Sequence, residues 1–471
     1  MTRMITPVVL CGGMGSRLWP MSRVDQPKQF QPVSGRGSLS YFQTTIQRHR
    51  GVAFHDPIVV TNARQEALVA RQMQDLQLQA RIIAEPVGRN TGPAVLAAAL
   101  AALEDDADAQ LLILPSDHMI RGNVNGTITR MTAAADDGLI VTFGIKPAYP
   151  ETGFGYITDG GCFRNYPGLH RVAQFVEKPT YDVALQLLSG GVSYWASGIS
   201  LFRADTIVEE FHRLAPGCLQ QVAQAVAKGT RRNGTILLEP AAFAQATNQP
   251  TERLIFEHTD MIALAPLRDV QWDDVGAWNA VHQISDPDAS GNVTSGDVLT
   301  LDTTNSLIRS DGRLVTVIGM QDVVVVETAD AVLVTNWKSA QKVKQMVERL
   351  QADQRTEVRS HRIVDTPWGQ VETLSQDAGC DMRMLTVQPG ASLQINGTGA
   401  GPSVLTVVSG TGICTVGGQQ IAIGRGDTLP IDADYALPLV NTSGQAMRLM
   451  QMMFATPHDV DVVADLGAKA G

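Results

Sequence analysis

"LCGGMGSRLWPMSRVDQPKQF" occupies Leu10–Phe30 and decides how the chain is read. It follows directly on the apolar run Met4–Leu10, which reads as a buried strand. Gly12, Gly13 and Gly15 leave that strand in a turn poor in side chains. Such a turn lets backbone N–H groups approach a ligand closely, and oriented amides cradle phosphate oxygens. Arg17, Arg23 and Lys28 follow at short intervals. An arginine grips phosphate as a planar fork, a lysine as a compact point charge. The glycines alone fit equally well a tight strand-to-helix turn flanked by solvated cations. A dinucleotide-binding fingerprint fits badly, because Arg17 stands where its third glycine belongs and the acid it needs about 20 residues on is poorly matched.

Outward from this stretch, roughly the first 285 residues alternate short apolar runs with amphipathic ones. Pro57–Thr61, Gln110–Leu114 and Leu139–Gly144 read as strands, and Gly92–Leu103 as a helix behind the cap candidates Asn90 and Thr91. Strands alternating with helices predict an α/β, Rossmann-like domain with a mostly parallel sheet covered on both faces. The texture changes at "DPDASGN" (Asp286–Asn292), after which short strand-like runs crowd together to Asn336. Their spacing predicts a small all-β layer or a few coils of a β-helix. Ser339–Gln351 has helical periodicity and reads as a spacer helix. From about Arg359 the chain is β-like again, with Gly/Pro turns, and predicts a small barrel or sandwich. The domain reading is therefore 1–286, 287–338, 339–358 and 359–471.

Composition bounds the function. A chain of 471 residues is too long for one ordinary core. With 44% apolar and 18% charged residues it has the balance of a soluble globular protein. A net charge of −10 argues against a general nucleic-acid binder. No apolar run approaches the roughly 20 residues of a membrane span, so no membrane partner is expected. The N-terminal residues lack a signal peptide's long apolar stretch. Cysteines at 11, 162, 218, 380 and 414 are scattered, which suggests reduced thiols and a cytoplasmic location, with neither a disulfide framework nor a zinc site.

The stretch "GGMGSRLWPMSRVDQPKQF" resembles the signature of the mannose-1-phosphate guanylyltransferases, within the wider sugar-nucleotidyltransferase family. Further matches follow in order: "EPVGRNTGPA" (Glu85–Ala94), "LPSDH" (Leu114–His118), "ETGFGYI" (Glu151–Ile157), "FVEKP" (Phe175–Pro179), "SGISLF" (Ser197–Phe202) and "WDDVGAW" (Trp272–Trp278). "GNVTSGDV" and "VVVVETADAVLV" look like the family's middle region. "TPWGQVETL" and "VVSGTG" look like the C-terminal cupin domain of its long members, which add mannose-6-phosphate isomerisation.

The reaction this resemblance implies joins GTP and mannose 1-phosphate, giving GDP-mannose and pyrophosphate. By the same resemblance Gly12, Gly13 and Gly15 lie over the nucleotide, with Glu85, Asn90 and Ser116 as further nucleotide contacts, while Arg17 and Lys28 neutralise the triphosphate. Asp117 and Asp274 are expected to hold Mg²⁺, which binds through one or two carboxylates plus phosphates. Lys178 is expected at the sugar phosphate, with Gly153, Glu177, Ser197 and Gly198 around the sugar. The attacking phosphate is already an anion near neutral pH, so no general base is required. His118, beside Asp117, therefore reads as a structural neighbour. A homodimer is the expected assembly.

Some positions depart from the family. Ala196 stands where Asn is usual, Glu252 where Asp is usual and His258 where Lys is usual. They leave open a catalytically weak homologue serving as a binding or regulatory subunit, or a transferase for another sugar 1-phosphate. In the C-terminal domain Gln394 remains of the isomerase metal motif, but Asn396 replaces its first His, and no histidine lies between His361 and His458. Thr366 replaces the arginine before "PWG". A cupin fold without metal or isomerase activity is expected; a relocated carboxylate site at Asp427, Asp432 and Asp434 is the alternative.

Overall fold

The apolar run before the glycine turn forms the buried central strand β1 (Ile5–Cys11). The computed structural model describes residues 4–13, 15–33, 35, 37–366, 368–377, 379–396, 401–432 and 436–454. The chain divides into two units, Met1–Arg359 and Ser360–Gly471. In the first, β1 is followed by β2 (Ile58–Asn62), β3 (Arg81–Glu85), β4 (Gln110–Pro115), β5 (Met119–Arg121), β6 (Ile140–Ile145), β7 (Tyr156–Cys162), β8 (His170–Val176) and β9 (Ser193–Arg203). Then come β10 (Thr230–Arg232), β11 (Thr235–Leu237), β12 (Ile262–Pro266) and β13 (Gln271–Asp273). Eleven of these strands make one sheet in the order β10-β11-β3-β2-β1-β4-β9-β6-β12-β8-β7.

From β11 to β4 every pairing is parallel, as is β6 with β12. The long strand β9 runs antiparallel to both β4 and β6, and β7 and β8 pair as an antiparallel hairpin. The parallel sheet expected from the alternation of strands and helices is thus one part of a mixed sheet. Antiparallel neighbours need no crossover helix, which is why the pattern of alternation weakens after β6.

Successive residues of a strand face opposite sides, and two cores result. Val8, Val60, Leu111 and Ile113 pack against helix α3 on one face. Val9, Val59, Leu112 and Leu114 pack on the other with side chains of α1 and α2. Here α1 is Tyr41–Arg48, α2 is Glu66–Asp75 and α3 is Thr91–Leu103. Helix α3 is apolar almost all round and is buried almost all round. Of the two cap candidates Asn90 takes the role, its side chain accepting from the Thr91 N–H at 3.1 Å.

The following strands are β14 (Val293–Ser295), β15 (Val298–Leu301), β16 (Leu307–Arg309), β17 (Val315–Ile318), β18 (Val323–Glu327) and β19 (Val332–Asn336). β14, β16 and β18 stack in parallel, as do β15 and β17, which is the arrangement of successive β-helix coils. Antiparallel β19 ends the stack. The spacer begins as a tighter turn, Trp337–Lys342, before the helix Val343–Ala352. The Asn336 side chain caps that turn at Ser339 N–H, 3.0 Å away.

A third core joins these coils and the spacer to the N-terminal loop. Leu18, Trp19 and Met21 pack with Val275, Trp278, Val293, Leu307, Val324, Val343 and Val358. Arg23 is fully buried. It pairs with Asp330 at 2.8 Å, donates to Pro20 O at 2.8 Å and lies 5.5 Å over the Trp19 ring. Burial pulls its guanidinium below the usual value and Asp330 opposes that pull. The second cation of the opening stretch is therefore a structural rivet.

The second unit is built of antiparallel strands in a six-stranded and a four-stranded sheet, a cupin-like barrel. Its interior is aliphatic, with Leu385, Leu405, Val407, Leu439 and Leu449 among the buried side chains. Gln394 is exposed between buried Leu393 and Ile395. Asp427 accepts from Gly424 N–H at 2.8 Å within a turn, and Asp432 is exposed. Asp434 lies outside the described residues, as does the side chain of Asn396. Among the described residues no helix is long and apolar enough to cross a membrane.

Removing one member of a buried ion pair strands the other charge, at a cost of about 3–5 kcal/mol. Asp330→Ala should accordingly lower the stability of the first unit by that order in urea unfolding. Substituting the exposed Asp286, whose nearest cation, Arg121, is 3.9 Å away, should change it little.

Candidate active site

The glycine turn holds its shape through contacts that only glycine permits. Gly15 has φ +61°, and a Cβ there would stand 2.5 Å from the Cβ of Lys28. Ser22 Oγ donates to Gly15 O at 2.6 Å and closes the loop. Lys28 is thereby pressed beneath the turn, only 3% exposed. Its ammonium donates to Asp117 Oδ2 at 2.9 Å and to the backbone carbonyl of Asp274. It also lies 5.6 Å from the Tyr41 ring. One cation thus ties together the glycine loop, the segment after β4 and the segment after β13. Burial pushes the Asp117 carboxyl up, but Lys28 and His118 outweigh it and hold it below the ordinary carboxylate value. Burial lowers His118, whose Nε2 is 3.8 Å from Asp117 Oδ1.

Two cavities reach this junction. One, of about 310 Å³, is walled by Leu10, Val60, Val95, Ile113 and Phe256. Gly12, Gly13, Glu85, Asn90, Asp117 and Gly198 also line it. A Cβ on Gly12 or Gly13 would meet nothing within 4 Å, so both present bare backbone. Glu85 is buried, and its Oε1 has no hydrogen-bond partner among the described residues. Burial raises this carboxyl to about 8. The second cavity, about 860 Å³, carries Arg17, Gly153, Lys178 and Asp274, with Glu151 and Asp273 beside them. Burial, reinforced by Asp274, raises the Asp273 carboxyl.

The remaining expected positions sit differently. Ser116 turns inward and donates to Leu10 O at 2.8 Å, lining neither cavity. Ser197 is fully buried, donating to Phe143 O at 2.7 Å and accepting from Ile199 N–H. It supports Gly198, whose φ of +74° lets β9 pass against Pro115 with no room for a side chain. Glu177 is mostly buried behind the second cavity and pairs with Lys178 at 3.1 Å. Lys178 itself has φ +50°, a conformation few side-chain-bearing residues adopt. Both serines match the motif order, yet their hydroxyls serve the scaffold. Ala196 packs against Gly155, which shares its space with Glu177, and His258 is exposed away from both cavities.

Other site features differ from the sequence reading or escaped it. Glu252 lines the first cavity, 3.4 Å from Thr91 Oγ1, in a single π-helical turn Glu252–Phe256. Such turns often mark functional sites. Burial, then Glu177, raises its carboxyl to about 7. An aromatic wall of Tyr149, Phe154, Trp195 and Trp272 borders the second cavity, with neighbouring centroids 4.9–5.4 Å apart. Phe154 and Trp272 lie within quoted motifs, but nothing local in the sequence brings them beside Tyr149 and Trp195.

Comparison with known proteins accords with this architecture. Residues 6–291 match the nucleotidyl transferase family, residues 296–350 the mannose-phosphate isomerase/GMP-like β-helix domain, and residues 353–460 the mannose-6-phosphate isomerase C-terminal domain. A mannose-1-phosphate guanylyltransferase of Escherichia coli is 37% identical over 92% of this chain and 93% of its own length. The xanthan biosynthesis protein XanB of Xanthomonas campestris is 37% identical over 95% of each chain. A crystal structure from Thermus thermophilus, described as a mannose-1-phosphate geranyltransferase, superposes with a TM-score of 0.65 at 29% identity, over 74% of this chain and all of that one. The shared order of nucleotidyltransferase, β-helix and isomerase-type domains, together with identity along nearly the whole length, places this chain in the mannose-1-phosphate guanylyltransferase family.

Proposed function

We propose that this protein transfers GMP from GTP to α-D-mannose 1-phosphate, giving GDP-mannose and pyrophosphate. The observation that carries the reading is the Lys28 junction, where an apolar cavity and a cation-bearing cavity meet over Asp117 and Asp274. The apolar cavity suits a purine and ribose, with the amides of Gly12 and Gly13 toward the phosphates. Arg17 and Lys178, on the wall of the other cavity, suit the leaving pyrophosphate and the sugar phosphate. The sugar phosphate's second pKa is about 6, so it attacks the α-phosphorus without a base. The enzyme's work is to align two anions in line and to neutralise the charge gathering on the leaving group.

The site also suits Mg²⁺. Lys28 holds the Asp117 carboxylate beside the Asp274 backbone, Asp117 Oδ1 is free of that lysine, the Asp274 side chain lines the adjoining cavity, and both carboxylates are hard oxygen donors. When bound, the ion supplies charge neutralisation between nucleotide oxygens; everything else falls to Arg17, Lys28, Lys178 and the loop amides. The product would serve polysaccharide synthesis, as the name of the xanthan biosynthesis relative suggests, and the scattered cysteines fit a cytoplasmic setting. Ala196 and His258 stand off the cavity walls, which favours an active enzyme over a silent homologue. In the second unit, the loss of the family's histidines supports a cupin domain without isomerase activity.

Purified protein given GTP, Mg²⁺ and a panel of sugar 1-phosphates should release pyrophosphate with mannose 1-phosphate. Release only with another sugar, or GTP binding without release, would overturn the assignment. The same protein should not interconvert mannose 6-phosphate and fructose 6-phosphate with any added divalent metal. Lys178→Ala should raise KM for the sugar phosphate much more than for GTP.

Glu85 is the group best placed to select guanine, whose N1–H and amino group present two donors to one carboxylate. Those bonds favour the charged form, so GTP should pull the carboxyl down from about 8 and release a proton at neutral pH. GTP affinity should then rise as pH climbs from about 6 to about 8. Calorimetry in buffers of differing ionisation heat should show the proton. Glu85→Gln should abolish both effects and narrow the preference for GTP over ATP.

A further inference from the structure

The wall of the second cavity that holds Arg17 is built from three segments of the first unit. Arg17 lies in the short turn Ser16–Leu18, Asn279 and Gln283 in the helix Trp278–Ile284, and Gln341 in the spacer turn Trp337–Lys342. The turn Ser16–Leu18 contacts the spacer turn, and the spacer turn contacts the helix. Apolar packing sets this arrangement, because Leu18, Trp278, Val281 and Val343 are buried together in the third core. Residues four apart share a helix face. Asn279 and Gln283 therefore stand together, on the face turned away from Trp278 and Val281.

This wall has hydrogen-bonding capacity to spare. Among the described residues, no hydrogen bond or ion pair engages the side chain of Arg17, Asn279, Gln283 or Gln341. Asn279 Oδ1 is buried without a partner, so Nδ2 is the polar end that the cavity meets. A buried acceptor left unpaired is costly and calls for a reason. Holding a donor toward a ligand supplies one.

The geometry of the reaction says which ligand. In-line transfer puts the attacking and the leaving oxygen on opposite sides of the α-phosphorus. Lys178 and Gly153 come from the segments flanking the β7–β8 hairpin, whereas Arg17 and the three amides come from segments tied to the third core. Sugar phosphate and leaving group thus have separate walls. We propose, resting on the guanylyltransferase reading above, that Asn279, Gln283 and Gln341 join Arg17 in binding the departing pyrophosphate. The spacer that follows the β-helix then supplies part of the active site. Neutral amides offer N–H donors to phosphate oxygens without setting a second cation against Arg17.

The reverse reaction isolates this subsite. In it a pyrophosphate oxygen attacks the guanosine-bearing phosphorus of GDP-mannose, the bond to the mannose phosphate oxygen breaks, and GTP and mannose 1-phosphate leave. Purified protein given Mg²⁺, GDP-mannose and pyrophosphate should form GTP. Gln283 and Gln341 are exposed, so their substitution spares the core. Gln283→Ala and Gln341→Ala should each raise KM for pyrophosphate about threefold to tenfold and leave KM for GDP-mannose within about twofold. Gln341→Glu keeps the size and adds a negative charge, so it should raise KM for pyrophosphate further than Gln341→Ala does. A packing role predicts instead that Gln341→Glu behaves as the native protein. An unchanged KM for pyrophosphate in these variants, or an equal rise in both KM values, overturns the subsite while the enzyme assignment stands. A native protein that runs the reaction in neither direction overturns the guanylyltransferase reading, and the subsite with it.

Discussion

A single buried ammonium holds the candidate site together. Lys28 is inside the protein because Gly15 leaves it room and no more. A lysine is seldom buried without a partner, since removing its charge from water is costly. Asp117 and the Asp274 carbonyl are those partners, and they lie far apart in the first domain's sequence. Satisfying one charge therefore fixes three backbone segments at once. A compact point charge suits this better than a planar fork, because its donors turn freely toward unrelated acceptors.

The turn that covers Lys28 is held from behind as well. Trp19 donates to Glu357 O at 2.9 Å, Trp278 donates to Trp19 O at 3.1 Å, and Val24 N–H bonds Val358 O. Arg23 enters the same third core and is neutralised by Asp330. The β-helix coils and the spacer helix thus brace the loop that carries Arg17. A glycine-rich loop is entropically expensive to order, and here the ordering is supplied by hydrophobic packing against segments some 300 residues away in sequence. The middle region, which contributes no residue to the apolar cavity, earns its place by this bracing.

What the sequence made legible was what has a local period or a local turn. β1, β4, the capped helix α3, the close-set strands of the β-helix and the aliphatic C-terminal barrel all announce themselves within a window of a few residues. Motif order also located Gly12, Asp117, Lys178 and Asp274 on cavity walls. Direction was not legible. Ser116 and Ser197 sit in the right motifs but aim their hydroxyls at Leu10 and Phe143 carbonyls, because a strand's register against its neighbours decides that. The antiparallel β9 was invisible for the same reason. Arg23 resembled a ligand contact because its partner lies 307 positions on. Glu252, a departure from family pattern expected toward the sugar side of the pocket, lies instead on the wall of the apolar cavity beside Thr91.

The charge around the second cavity bears on how two anions could share it. Arg17 and Lys178 are its cations, yet Glu151, Asp273 and Asp274 line it too, so its wall carries more negative than positive charge. Asp117 stands at the junction, with Lys28 already engaged by it. Such a wall would repel a triphosphate and a sugar phosphate if it acted alone, and at close range in a poorly hydrated site that repulsion is large. The raised Asp273 carboxyl records the same strain from within, since burial and a neighbouring carboxylate both disfavour its charge. Asp117 and Asp274 would hold a divalent cation there, whose charge would offset that of the carboxylates and so favour phosphate binding. On the proposed chemistry the acidity that argues against this surface as a bare anion site would make anion binding depend on a metal, and would leave Arg17 for the leaving pyrophosphate and Lys178 for the sugar phosphate.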